Sequence, residues 1–184
     1  MAVEWTRHRF SGGALALDLA NTVVLRNKPA DRFDRLEDAA ELPRFSAAAR
    51  LMRVDEFGTA GFAPWREGED QKPVIALREA VDAFFRKTAG GADGLDGLPH
   101  LLRAIASVIE ETKAGSFGRA LGLSALSLLE PGRGSRIRIC PNCAWLFLDA
   151  SRNGSRVWCD MAVCGNRQKA RRHFLRHKAE RVDG

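Results

Sequence analysis

The sequence predicts a mostly α-helical protein: a helical N-terminal domain, residues 1–132, followed by a small cysteine-rich module, residues 133–184, built from a β-hairpin and a helix. Three observations predict this. Apolar residues recur at helical spacing between Lys72 and Leu129. The stretch Pro131-Gly132-Arg133-Gly134 then breaks the pattern. All four cysteines lie beyond that break, between Cys140 and Cys164.

Taken in order, Gly12-Gly13 precedes an apolar segment, Ala14 to Leu25, interrupted by Asp18, Asn21 and Thr22. Spacings of three and four place these polar residues on one face of a helix. Asp34 is a candidate cap for a segment from Leu36, and Pro43 is expected to end or restart it near Arg44–Met52. Gly, Pro and charges make Thr59–Gln71 a loop. The clearest helix opens at Lys72-Pro73, where proline's missing N–H costs little. Val74, Leu77, Val81, Phe84 and Phe85 form its stripe until Gly90-Gly91. A second helix is expected from Leu98 to Thr112, with Leu101, Leu102, Ile105, Val108 and Ile109 as its stripe, and a third from Phe117 to Leu129. Beyond the break, Arg136-Ile137-Arg138-Ile139 alternates as a strand does, and Trp145–Leu148 is a short apolar run. Ser151–Ser155 reads as a turn and Arg156–Cys159 as a returning strand. A C-terminal helix is expected from Gly165 to Arg181.

Composition excludes several classes. With 45% hydrophobic and 28% charged residues the chain is globular in type. It has no apolar run of membrane-spanning length. Met1–Phe10 carries Glu4, Arg7, His8 and Arg9 without an apolar run behind them, so no secretory signal is expected and the cytoplasm is the expected compartment. Residues 1–132 carry 17 Lys+Arg against 19 Asp+Glu, and residues 133–184 carry 12 against 4, which divides the net +6 into −2 and +8. The basic character belongs to the cysteine-rich part, which points to a polyanionic partner.

The cysteines read Cys140-x-x-Cys143, then Cys159, then Cys164 after four residues. Four soft ligands suit tetrahedral zinc. Pro141-Asn142 is turn chemistry between the first two thiols. Cys164-Gly165 sets a thiolate at a helix N-terminus, where the dipole favours negative charge. Disulfides are disfavoured in a reducing compartment, and a redox pair would need Cys-x-x-Cys opening a helix in a βαβ unit. Four unrelated thiols would not crowd into one short segment. The expectation is one structural zinc per chain, held by Cys140, Cys143, Cys159 and Cys164 in a treble-clef-like module, with no open position for catalysis. His173 and His177 are too far from Cys143 for a two-cysteine, two-histidine finger, and read as surface residues. Removing the metal is expected to unfold the region after Pro131 and leave the helices standing.

The last helix is crowded with cations, namely Arg167, Lys169, Arg171, Arg172, Arg176 and Lys178, with Ala170, Phe174 and Leu175 available to face the zinc core. Such density repels itself and opposes the dipole at the helix start. Contact with phosphates would explain it, with Arg152 and Arg156 on the hairpin extending the surface. The competing explanation is charge balance, since zinc with four thiolates is formally doubly negative.

Positions 140–167 carry more than this chemistry. Cys140-Pro141-Asn142-Cys143, Trp145-Leu146-Phe147, Asp149, Ser151-Arg152-Asn153-Gly154, Trp158-Cys159, Met161 and Cys164-Gly165-Asn166-Arg167 resemble the bacterial CGNR zinc-finger family, named for the last tetrad. Val157 departs from it, since the family often has a second arginine there. Leu15-Ala16-Leu17-Asp18-Leu19-Ala20-Asn21-Thr22 is similar to the ABATE domain, described as a stress-induced transcription regulator. The resemblance implies a helical domain joined to a zinc module, with a DNA-binding role in transcription.

The function expected is therefore a DNA-binding transcriptional regulator, with a dimer presenting two basic helices to two half-sites. The alternative is a zinc-stapled interaction module that meets an acidic protein partner and binds no DNA. Asp18, Asn21, Thr22 and Arg26 are candidate lining for a small-molecule effector pocket. The opposing reading is that Asp18 and Arg26 satisfy buried backbone groups or each other. No nucleophile–histidine pair, phosphate loop or paired carboxylate is visible, and the chain has no tyrosine, so an enzyme is not expected.

Overall fold

Helical periodicity and β-branched clusters divide the chain much as expected, and the differences lie where distant segments meet. The computed structural model describes residues 2–66 and 68–180, with side chains through Arg176. Its first helix, α1 (Leu15–Ala20), is fully buried. Gly12 N–H donates to Asp18 Oδ1 at 2.8 Å, which fixes the turn entering the helix.

The helix expected through Leu25 ends at Ala20. Thr22 Oγ1 donates back to the Leu19 carbonyl at 2.7 Å, satisfying a group at the helix end. The β-branched pair that follows forms β1 (Val23–Val24), antiparallel to β2 (Phe33–Asp34) with Val23 opposite Asp34. Asp34 therefore lies in a strand rather than capping a helix, though its Oδ1 accepts from Leu36 N–H at 2.9 Å. Helix α2 (Glu41–Met52) contains Pro43 in its first turn, where no intrahelical N–H is lost. A single turn, α3 (Val54–Phe57), follows.

The long helices are α4 (Lys72–Ala89), α5 (Leu98–Glu110) and α6 (Phe117–Ser127), the last capped by Ser116 Oγ accepting from Arg119 N–H. They pack on one another and around α1. Phe45, Leu77, Val81, Phe85, Leu101 and Leu121 fill this core. Each begins and ends within two residues of expectation.

Pro131–Gly134, expected as an irregular break, is a helical turn, α7. The hairpin after it pairs β3 (Ile137–Ile139) with β4 (Leu146–Leu148), Arg138 opposite Phe147. The returning strand expected at Arg156–Cys159 does not form, and β4 pairs with β3 instead. Residues 149–156 instead wind around a buried carboxylate. Asp149 accepts from Ser151 N–H, Ser151 Oγ and Arg156 N–H, and the Ser151 hydroxyl leads in holding its pKa below the ordinary range. A π-helical turn (Met161–Gly165) leads into α8 (Asn166–Glu180).

Strand alternation gives the hairpin two faces. Leu146 and Ile137 join the helical core, whereas Phe147 packs with Cys140, Cys159 and Cys164. Asn21 clamps the junction: its Nδ2 donates to the Leu146 carbonyl at 2.8 Å and its Oδ1 accepts from Leu146 N–H at 2.9 Å. At Gly13 the backbone takes φ +80°, and a Cβ there would lie 3.2 Å from Leu148 Cβ. Gly12 O accepts from Leu148 N–H at 2.7 Å, so the turn before α1 borders β4 directly.

Candidate metal centre and basic helix

The four cysteines come together from three segments. Cys140 ends the β3 side of the hairpin and Cys143 lies on the knuckle. Cys140 N–H donates to Trp145 O and Ala144 N–H to Cys140 O, both at 2.8 Å, which closes the knuckle. Ala144 sits at φ 60°, a left-handed conformation that the tight turn imposes. Cys159 follows the Asp149-centred loop, and Cys164 lies on the π-helical turn. Asp160 organises that turn, its Oδ1 accepting from Ala162 and Val163 N–H and its carbonyl from Cys164 and Gly165 N–H.

All four Sγ atoms lie within 4.8 Å of one another, with Cys143–Cys159 at 3.5 Å and Cys159–Cys164 at 3.6 Å. A tetrahedron with arms of about 2.3 Å has edges of about 3.8 Å, so the donor set fits a tetrahedral thiolate-bound metal. The chemistry of the cluster agrees. Hydrogen bonds from Cys143 and Cys159 pull the Cys140 pKa down, while sharing a proton with Cys140 pushes Cys143 and Cys159 up. Four thiolates cannot coexist so closely without a cation between them.

The supporting shell was not foreseen from sequence. Asn142 Nδ2 donates to Cys164 Sγ at 3.3 Å, and Gln168 Nε2 donates to Asn142 Oδ1 at 2.7 Å. His8 Nδ1 lies 3.0 Å from Asp160 Oδ2, and the His8 ring stacks on Trp145 at 5.1 Å. Asp149-x-Ser151 and Asp160-x-Ala162 are recognisable Asx-turn patterns that could have revealed two of these residues. His8 carries no such local signal.

Among the cations expected to meet nucleic acid, Arg152, Arg167, Lys169, Arg171, Arg172 and Arg176 are exposed. Lys178 falls in α8, but its side chain lies outside the described residues, as do that of His177 and the whole of Arg181. Arg156 differs. Its Nε donates to Trp158 O at 2.8 Å, its Nη2 donates to Cys159 O, and its Cζ lies 5.0 Å from the Phe147 ring. It braces the ligand loop instead of extending the outer surface. Phe174 and Leu175, expected to face the metal core, are 68% and 52% exposed. Ala170, offered for the same role, is exposed as well.

The four residues considered for an effector pocket are held by protein partners. Asp18 takes Gly12 N–H and lies 3.2 Å from Arg53 Nε, and Asn21 holds Leu146. Thr22 bonds Leu19 O and accepts from Arg78, while Arg26 forms a two-pronged pair with Glu79. These partners favour the structural reading of the four residues: Asp18, Asn21 and Thr22 are buried and Arg26 is half-buried. Asp18 pairs with Arg53 and not with Arg26, because α1 ends before Arg26.

Residues 13–129 match the family model described as "Putative stress-induced transcription regulator" (ABATE), and residues 136–177 match the CGNR zinc finger. The chain belongs to the ABATE family. Its C-terminal part is a CGNR zinc finger, in the order that the sequence motifs imply. No curated protein and no solved structure matches the chain. Within the described part of this ABATE protein, no helix is long and apolar enough to cross a membrane.

Proposed function

We propose that this ABATE protein is a cytoplasmic DNA-binding transcription regulator whose CGNR finger holds one structural zinc per chain through Cys140, Cys143, Cys159 and Cys164. The observation that carries the DNA reading is the exposed run Arg167, Lys169, Arg171, Arg172 and Arg176 on α8, the helix that begins at the metal cluster. Among the described residues no ion pair engages these cations, and the salt bridges are concentrated in the helical domain, as at Arg78–Asp34 and Arg86–Asp82. Arg152, on the loop between β4 and Cys159, is exposed as well. Zinc's part is to bind four thiolates and tie α8 to the hairpin. The role is binding, not catalysis, and a dimer would present two such helices to two half-sites.

Exposed Phe174 and Leu175 favour a second reading, in which α8 meets an acidic protein surface through apolar and charged contacts together. One experiment separates the two. Binding to duplex DNA is measured across a salt series for wild type and for Arg171→Ala/Arg172→Ala/Arg176→Ala. Phosphate neutralisation predicts a steep log–log salt slope in wild type, shallower in the variant by roughly one unit for each phosphate left without its cation. Identical slopes and affinities with the fold intact would give precedence to the protein-partner reading.

A further inference from the structure

Arg35 poses an electrostatic problem that the rest of the fold leaves unsolved. It follows β2 and is only 7% exposed. Its Nη1 donates to the Asn21 carbonyl at 3.3 Å, and its Cζ lies 5.3 Å from the Trp145 ring and 5.4 Å from the Phe33 ring. Among the described residues every other buried arginine has an acidic partner: Arg53 has Asp55 beside Asp18, and Arg78 has Asp34. Among the described residues no carboxylate reaches Arg35 within ion-pair distance. Its charged neighbour is another cation, Arg9, whose Nε is itself buried without a hydrogen-bond partner. Burial first, and Arg9 second, push the Arg35 pKa down to about 10, and the one group acting in its favour is Cys143. A buried charge without a counter-charge is costly, and natural folds rarely keep one.

The position supplies the missing partner. Trp145, against which Arg35 lies, is two residues beyond Cys143, on the knuckle that carries two of the four thiols. A divalent metal bound by four thiolates is formally doubly negative, and that charge sits beside Trp145. We propose that Arg35 is the counter-cation of the metal–thiolate centre, donated by the ABATE domain to the CGNR finger. Arg35 is a positioning and charge-balancing residue that touches no metal. It makes metal retention by the finger a property of the helical domain as well. The inference rests on the four-cysteine metal reading, which wild type tests separately.

The test uses the full-length protein loaded with zinc, and follows zinc release to a colorimetric chelator. Wild type holding zinc upholds the four-cysteine reading. Arg35→Gln should then release zinc roughly ten- to a hundredfold faster, the usual range for loss of an outer-shell partner of a metal site. Arg35→Lys keeps the charge and should restore most of the retention. The opposite sign is expected without metal. In excess chelator, Arg35→Gln should be as resistant to urea as wild type or more so, because an unpaired buried cation has been removed. Equal zinc release from wild type and Arg35→Gln would overturn the inference while leaving the metal reading standing. Equal destabilisation of the loaded and metal-free forms would also overturn it, since that is the mark of lost packing on Trp145 and Phe33. Should Arg35→Gln fail to fold, release from Arg35→Lys as fast as that from a Cys164→Ser control would count against it.

Discussion

Asp18 shows how far one residue's chemistry can shift when it is sealed in a core. Burial pushes its pKa from 3.8 up to about 7, against the opposing pull of Arg53 and of the Gly12 N–H. Between about pH 4 and 7 the folded chain thus holds a proton that the unfolded chain has released. Stability from this group is present at low pH and falls as pH rises through that window, by roughly 4 kcal/mol at most. Asp18→Asn keeps an acceptor for Gly12 and removes the titration. Urea midpoints at pH 5 and pH 8 should drop less in the variant than in wild type, and an equal drop would show that Asp18 ionises without cost. The metal ligands make a second residue-scale prediction. Cys164→Ser should lower the zinc content of the purified protein clearly below one per chain, and full occupancy would remove Cys164 from the ligand set.

Between elements, tolerance is close where the turn before α1 borders β4. Gly13→Ala adds a Cβ at 3.2 Å from Leu148 Cβ and 3.3 Å from the Leu148 carbonyl, in a left-handed backbone that alanine resists. The expected loss is at least about 1 kcal/mol in urea denaturation, with faster zinc release because β4 carries Phe147 into the metal cluster. Unchanged zinc release would mean that the hairpin's two faces are mechanically independent. This junction also shows what sequence could and could not reveal. Helices α4, α5 and α6 were legible because their stripes repeat every three or four residues, and the cysteines because their spacing is local. The end of α1 was not legible, since Asn21 serves a strand 125 positions away. Nor was the role of Arg156, whose partners are carbonyls that only the folded loop presents. The exposure of Phe174 was hidden for a similar reason, because an apolar residue on a helix declares no partner.

Across the whole molecule, the expected independence of the finger gives way to a shared hairpin. Ile137 and Leu146 lie in the helical core, Phe147 lies with the cysteines, and Asn21 holds the backbone between them. Chelation should therefore lower the thermal stability of the entire chain in one transition, read by helical circular dichroism. Loss of tryptophan tertiary signal with an unmoved helical transition would restore the picture of a separable finger. A scan of zinc-loaded and chelated protein decides it.

That clamp has a consequence for the order in which the chain matures. The polar end of α1 is made well before its partner, since Leu146 emerges from the ribosome 125 residues after Asn21. Closing so long a loop is slow relative to forming the local helices, because the entropy of bringing its ends together comes before any reward. A nascent chain halted near residue 132 would hold its long helices while the Asn21 amide still faced water. The end of α1 is thus among the last parts of this fold to finish, and it finishes together with the thiol cluster.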